Sequence, residues 1–312
     1  MTTAAERVKF RCPLSVTSQQ KAKRELNEDE TTRKEQLVKL QQLIDTRPDI
    51  KFRTDEDFLI RFLRAKKFDA DRAFKVLVHY YEVRRQYKDV FTDALPSTVL
   101  PVLEANIHFI THGRDNEGRR VLIFKMENWD VEKFGASELT RTATMLLEML
   151  LAEDETQING IVVIGDAGGL NMGHITKMGP SASRKMLDIL QNALPLRFKA
   201  MHFVNEPKLF DTAFAIFRPF LSEKLKKRLQ FHGDEFGALH NQVPSTLLPV
   251  EFGGAVQEYD NKEWREIIKS MTEEFIENNK YGFPKTADTL GGKDQGADAA
   301  GGLTGSFKKL DM

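Results

Sequence analysis

The sequence predicts an α/β fold in which a helical N-terminal module precedes a domain built on a largely parallel β-sheet. Between residues 30 and 92, apolar side chains recur at helical spacing. From residue 107 onward, short β-branched runs alternate with helical patterns, the order typical of βαβ units. We therefore divide the chain into a flexible segment (1–29), a helical module (30–95), an α/β domain (96–280) and a disordered glycine-rich tail (286–312).

Three amphipathic helices make up the predicted helical module. The first covers residues 32–44 and ends before Pro48, since proline cannot continue a helix. The second begins at Thr54, which together with Asp57 three residues later resembles a capping box. The third carries its apolar positions between Phe74 and Val83.

The α/β domain is predicted to begin with a hairpin, in which IHFITHG (107–113) and RVLIFKM (120–126) flank the turn-rich RDNEG. The run GIVVIGD (160–166) predicts a buried strand, and FKAMHFVN (198–205) and LQFHG (229–233) predict two more. Helices are predicted at residues 139–151, 181–194 and 264–275. This order of elements favours a largely parallel sheet.

The composition argues against a secreted or membrane-spanning protein. The net charge is zero, so any attraction to nucleic acid or a membrane must be local. Cys12 is the single cysteine, which excludes a disulfide framework and favours a reducing compartment. The N-terminal residues do not resemble a signal peptide or a myristoylation site, the C-terminal residues do not resemble a prenylation box, and no long apolar run occurs. We expect a soluble cytoplasmic protein.

The motifs of common enzymes are missing from the sequence. Neither G-x-S-x-G nor H-E-x-x-H occurs, and GDAGG (165–169) lacks the spacing of a phosphate-binding loop. Asp166 ends a predicted strand, where it is either a catalytic group or the cap of a turn. His108 and His112 lie four residues apart on a strand, which favours a packed or exposed pair over a metal site. We expect no enzymatic activity, no metal and no cofactor.

The stretch KLFDTAFAIFRPFLSEKLKKRL (208–229) combines aromatic surface with positive charge. Its apolar residues form one helical stripe, consisting of Phe210, Ala213, Phe214, Phe217 and Leu221. Pro219 cannot occupy the interior of a helix, so we predict two helices, 206–217 and 219–229, joined at Arg218.

Positive charge is concentrated around this stretch, with eight basic and three acidic residues between positions 194 and 229. Arg197 and Lys199 share one face of a strand, and Lys224 and Arg228 share one face of a helix. Two interpretations are open: an amphipathic helix with a solvated basic end, or a device that opens at a membrane. Each basic residue near an anionic membrane contributes about 1 kcal/mol, and each buried phenylalanine about 1.5–3 kcal/mol.

Four blocks of the sequence resemble the CRAL-TRIO family, in particular the group of the α-tocopherol transfer protein, retinaldehyde-binding protein and the clavesins. The blocks are DFLIRFLRAKKFDADRAFKVL (57–77), ETQINGIVVIGDAGGL (155–170), LPLRFKAMHFVNEPKLFDTAFAIFRPFLSEKLKKRLQFHG (194–233) and LLPVEFGG (247–254). The resemblance extends over residues 30–275. It implies an α/β cage that holds one apolar molecule beneath a mobile helical lid, follows a helical module and is not an enzyme.

The resemblance also implies roles for individual residues. The four basic residues match positions that bind a phosphoinositide head group, and the apolar stripe matches the lid. The matching pocket positions are Thr140, Ala143, Leu147, Ile161, Val163, Gly165, Met178, Met186, Ile189, Leu190 and Leu196. Thr140 and Gly165 stand where aromatic side chains are expected, which predicts a larger or more polar pocket than one for tocopherol. Met178 and Met186 are adaptable enough to accept varied ligands.

The function implied by the resemblance is that of an intracellular carrier of a hydrophobic small molecule, which is tocopherol-, retinoid- or otherwise lipid-like. The carrier exchanges this molecule at phosphoinositide-containing membranes, and it visits endosomal or plasma membranes transiently from the cytoplasm. The alternative is a trafficking adaptor that senses phosphoinositides with the same fold and transfers no ligand. Nucleic acid is not an expected partner.

Overall fold

A computed structural model describes residues 14–257 and 260–284 of the chain. The expectations of flexibility for residues 1–13 and of disorder for the tail 286–312 lie outside the described residues. Within the described part, the fold is the predicted one, a helical module followed by an α/β domain with one sheet.

Helix α1 (Val16–Leu26) corrects the expectation that residues 1–29 are flexible throughout. The Ser15 hydroxyl caps this helix by accepting a hydrogen bond from the Ser18 amide at 3.1 Å. Ser18, Ala22 and Leu26 form a stripe at four-residue spacing, and all three are buried. Because only Leu26 in this stripe is strongly apolar, hydrophobic periodicity alone did not indicate the helix.

Residues 30–95 contain the three predicted helices and one short addition, α5 (Lys88–Phe91), and a further helix, α6 (Pro96–Glu104), follows them. The bounds of the predicted helices are α2 (Glu30–Asp45), α3 (Glu56–Ala65) and α4 (Ala70–Gln86). The predicted cap Thr54 is wrong by one residue, because the Asp55 carboxylate accepts the hydrogen bond from the Phe58 amide at 3.1 Å. A carboxylate is favoured there because the N-terminus of a helix is electropositive.

The sheet of the α/β domain has five strands in the order β1 to β5. The strands are β1 (His108–Arg114), β2 (Arg120–Lys125), β3 (Ile161–Asp166), β4 (Phe198–Val204) and β5 (Leu229–Phe231). Strands β1 and β2 form the predicted antiparallel hairpin, and the remaining neighbours are parallel. The parallel strands are connected through helices, as such pairs require.

The helices of this domain lie between and after the strands. They are α7 (Ala136–Leu150), α8 (Asp154–Asn159), α9 (Met172–Lys177), α10 (Pro180–Asp188), α11 (Phe210–Phe217), α12 (Glu223–Lys226), α13 (Gly237–His240), α14 (Lys262–Ser270) and α15 (Thr272–Asn278). Helix α10 continues as a π-helical turn (Ile189–Ala193), and short 3-10 turns occupy Met126–Asn128, Arg218–Phe220, Ser245–Leu247 and Val250–Phe252. The predicted helix 264–275 is interrupted at Met271.

The two faces of the sheet differ in what covers them. Alternate residues of β2 and β3, such as Val121 and Val162, point into a core closed by the segment 237–252. The residues between them point to the opposite face, where register pairs Leu122 with Val163 and Phe124 with Gly165. This second face forms the floor of the cavity described below.

A buried arginine joins the helical module to the α/β domain. Arg64 on α3 is 2% exposed and forms a bidentate pair with Glu28, with N–O distances of 2.9 and 2.7 Å. Its Nη1 also donates to Asp154 and Gln157 of α8, at 2.7 Å each. The guanidinium on α3 therefore satisfies acceptors from two segments that are distant from it in sequence, Glu28 and helix α8.

Replacement of Arg64 by leucine should destabilise the whole protein, because it leaves Glu28 and Asp154 without their buried counter-charge. We expect the free energy of unfolding to fall by about 3–5 kcal/mol, measured by urea denaturation. Lys34→Ala is the control, since Lys34 pairs with Glu30 on the surface, with side chains 74% and 84% exposed. Equal small losses in the two variants would contradict the role assigned to Arg64.

Candidate functional site

The second face of the sheet and the surrounding helices enclose an apolar cavity of about 210 Å³. It is larger than the engineered cavity of about 150 Å³ that binds benzene in a protein core. Among the residues that the structure describes, His108 and His174 are the only polar side chains in its lining, which otherwise consists of apolar residues and Gly165. The lining residues outside the lid are His108, Leu122, Phe124, Met126, Leu139, Ala143, Leu147, Val163, Gly165, Leu170, His174, Ile175, Met178, Met186, Leu187, Leu190, Phe198, Met201 and Phe203.

Seven of the eleven predicted pocket residues lie on the cavity wall, namely Ala143, Leu147, Val163, Gly165, Met178, Met186 and Leu190. The other four lie elsewhere. Thr140, Ile161 and Ile189 are buried away from the cavity, and Leu196 packs against the main core. Ile161 shares the cavity-facing side of β3 with Val163, but at its end of the strand the core fills the space. Ligand contact by the seven wall residues stays a prediction.

The two departures from the family pattern do not open the cavity in the way that the sequence suggested. A Cβ atom on Gly165 would lie 3.0 Å from the ring of Phe203, so this ring occupies the space beside the glycine. The Thr140 hydroxyl donates to the Ala136 carbonyl at 2.8 Å within α7, so it adds no polarity to the cavity. The structure therefore shows neither free space beside Gly165 nor a polar group of Thr140 facing the cavity. A pocket larger than one for tocopherol stays a prediction.

Helix α11 and the turn after it cover the cavity, and we call residues 210–221 the lid. All five predicted lid residues line the cavity, namely Phe210, Ala213, Phe214, Phe217 and Leu221. None of the eight residues of α11 is fully buried. The Phe210 ring packs on Phe203 of β4 at 5.1 Å, and the Phe214 ring on Phe231 of β5 at 5.4 Å. Aromatic contacts with the sheet edge thus hold α11 in place.

The second predicted helix of this stretch, 219–229, is shorter in the structure. Pro219 lies in a 3-10 turn, Ser222 caps α12, and Leu229 already belongs to β5. Gln191 of the π-helical turn holds this junction, since its amide donates to the Phe220 carbonyl at 3.0 Å and accepts from the Ser222 amide at 2.9 Å. The lid is therefore attached firmly at its C-terminal end.

Arg197, Lys199, Lys224 and Arg228 come together beside the lid, and we call them the basic cluster. Burial lowers the pKa of Lys224, and the positive charges of Arg228, Lys66 and Arg197 lower it further. Burial and the neighbouring Arg197 lower the pKa of Lys199 in the same way. The positive charges of the basic cluster therefore lie close enough to repel one another. Sequence analysis had not included Lys66, although it stands in the basic pair of RAKKF.

One carboxylate from α1 enters the basic cluster. Glu25 Oε2 lies 3.0 Å from Arg197 Nη2 and 3.4 Å from Lys199 Nζ. Burial acts to raise the pKa of Glu25, but the hydrogen bond from Arg197 and the charges of Lys199 and Arg197 outweigh it and hold the pKa below its ordinary value. Glu25 was not predicted from the sequence, because the helix that carries it was not predicted.

Asp166 and His112, two further candidates from the sequence, form hydrogen bonds within the fold. Asp166 Oδ1 accepts from the Gly168 amide at 3.0 Å and from the Asn205 amide group at 2.9 Å, so it caps the turn after β3. His112 Nδ1 lies 2.8 Å from Glu263. Within residues 14–257 and 260–284, no three potential metal ligands cluster, and no helix is long and apolar enough to cross a membrane.

Two protein-family models match the chain, one over most of the α/β domain and one over the helical module. Residues 104–254 match the model of the CRAL/TRIO domain, and residues 29–98 match the model described as Pinta-like, UBA domain. The crystal structure of Sfh5 matches 80% of this chain and 99% of its own chain with a TM-score of 0.54. At 15% sequence identity, this likeness concerns the fold.

Curated relatives match over most of their length. The human α-tocopherol transfer protein-like protein is 34% identical over 281 residues, which cover 90% of this chain and 82% of the relative. Human clavesin-2 is 34% identical over 271 residues, which cover 86% of this chain and 82% of the relative. The chain therefore belongs to the CRAL-TRIO family.

Proposed function

We propose that the protein carries one hydrophobic small molecule in its cavity and exchanges it at phosphoinositide-containing membranes. The observation that carries this proposal is the apolar cavity of about 210 Å³ beneath a lid whose helix has no fully buried residue. Few buried contacts favour local opening of a segment at low free-energy cost. The name of one relative, α-tocopherol transfer protein-like, is consistent with a lipid-like cargo.

The basic cluster is the proposed docking site for the phosphoinositide head group. Arginine pairs with phosphate in bidentate geometry, and lysine adds a compact charge, so both residue types suit this ligand. Lys224 follows the last lid residue, Leu221, by three positions. A head group bound at Lys224 and Arg228 would therefore act next to the attachment point of the lid.

The phenylalanines of the lid favour release of the ligand at a membrane. Exposure of a phenylalanine to water forfeits about 1.5–3 kcal/mol, whereas transfer into the lipid interface forfeits far less. The lid stays closed in water for this reason and opens where lipid replaces the protein contacts. The protein would then move between the cytoplasm and the surfaces of endosomal or plasma membranes.

Native mass spectrometry of the purified chain, before and after mixing with vesicles that contain phosphatidylinositol bisphosphate, tests the proposal. We expect one apolar ligand per chain, identified after organic extraction, and its departure only with these vesicles. The variant Arg197→Ala with Lys224→Ala should bind the vesicles about 30-fold more weakly, since each charge contributes about 1 kcal/mol, and should keep its ligand load.

Lys262→Ala with Lys269→Ala is the matched control, because it removes two charges from α14, outside the basic cluster. Equal loss of vesicle binding in both double variants would argue against a specific cluster. An empty protein, or a ligand that stays bound while vesicles are captured, would favour a trafficking adaptor that senses phosphoinositides without transferring cargo.

Glu25 supplies an internal competitor for the phosphate groups, because its carboxylate already neutralises Arg197 and Lys199. Glu25→Gln should therefore tighten binding to phosphatidylinositol bisphosphate vesicles several-fold in a co-sedimentation assay. Glu30→Gln is the control, since it removes the same charge from an exposed pair with Lys34. If the two variants bind equally, the gain comes from net charge alone and Glu25 does not compete for the site.

A further inference from the structure

The two histidines of the cavity differ in their hydrogen bonding. His174 is fully satisfied: Nδ1 accepts from the Asn171 amide at 3.1 Å, and Nε2 donates to the Trp129 carbonyl at 2.8 Å. His108 is equally buried, with 4% of its surface exposed, but among the described residues its Nδ1 has no hydrogen-bond partner. A buried polar atom without a partner is rare and costs free energy, so this one requires an explanation.

The position of His108 connects it to the whole cavity floor. It pairs with Phe124 across the hairpin, and the same row continues through Gly165 and Phe203. Phe203 in turn contacts Phe210 of the lid. With about 4.8 Å between neighbouring strands, the row spans roughly 14 Å from β1 to β4. His108 therefore lies at the β1 end of the cavity floor, and Phe203, which contacts the lid, lies at the β4 end.

We infer that His108 selects ligands with one neutral hydrogen-bonding group, such as a hydroxyl or carbonyl, and holds that end of the ligand at β1. The inference rests on the proposed carrier function. It places the apolar remainder of the ligand along the floor toward the lid. Either tautomer of a neutral imidazole offers one donor and one acceptor, so alcohols and carbonyl compounds both fit.

Charged ligands fit this end of the cavity poorly. Burial lowers the pKa of His108 to about 3, so the imidazole is neutral at physiological pH. Apart from the two histidines, no acidic or basic side chain lines the cavity among the described residues. A carboxylate would therefore lose its hydration without gaining a counter-charge.

A competition experiment tests the inference with the lipid-stripped full chain. The protein is incubated with equal amounts of dodecanol and dodecane delivered from cyclodextrin, and the bound molecules are extracted and quantified. We expect wild type to bind dodecanol about tenfold in preference to dodecane, and His108→Leu to lose this preference. Dodecanoate should bind more weakly than dodecanol.

Two further variants separate hydrogen bonding from shape. His108→Asn keeps a hydrogen-bonding group near the position of Nδ1 and should retain most of the preference for the alcohol. Met186→Leu changes an apolar part of the wall and should alter the binding of both probes equally. His108→Leu removes an unsatisfied polar atom, so the empty variant should melt at or above the temperature of the wild type.

The outcomes distinguish this inference from the carrier proposal. An alcohol preference that persists in His108→Leu, or dodecanoate that binds more tightly than dodecanol, overturns the role of His108 and leaves the carrier proposal intact. If wild type binds none of the three probes and yields no ligand after purification, the carrier proposal fails and this inference fails with it.

Discussion

The apolar second face of the sheet is the constraint on which the rest of the α/β domain depends. Alternate residues of β2, β3 and β4 must point to opposite sides, and both sides are apolar. One side is covered by a continuous core, whereas on the other side the helices leave a cavity. An uncovered apolar face would be unstable in water, so the chain needs a cover, and α11 provides it.

The positive charge concentrated beside the lid is a second constraint on the structure, because the repulsion within it has to be offset. Burial lowers the pKa values of Lys199, Lys224 and Arg228, and the nearby charge of Arg197 lowers all three further, a repulsion that costs stability in the free protein. Glu25 offsets part of it from α1. The N-terminal helix is thus part of the electrostatics of the lid region, although it is remote in sequence. The same carboxylate would have to yield to a phosphate ligand.

The sequence predicted those features that depend on local periodicity. The five strands were predicted from β-branched runs and turn residues, and all five are found, although β5 already ends at Phe231. The lid stripe was predicted from helical spacing, and its five residues line the cavity. Helix α1 was missed because its buried stripe contains Ser18 and Ala22. Two features depend on residues brought together only by the tertiary fold. They are the filling of the space at Gly165 by Phe203, and the absence of a hydrogen-bond partner for His108 Nδ1 within the described part of the chain.

The attachment of the lid indicates the direction in which the proposed opening would proceed. Gln191 brackets Leu221 with hydrogen bonds to Phe220 and Ser222, and Leu221 is buried. The opposite end is held by ring contacts of Phe210 and Phe214 with Phe231, a residue that is itself 51% exposed to solvent. The weaker end should separate first, so α11 would turn about Leu221. Because the basic cluster adjoins this fixed end, a membrane bound there would face the phenylalanines as they leave the cavity.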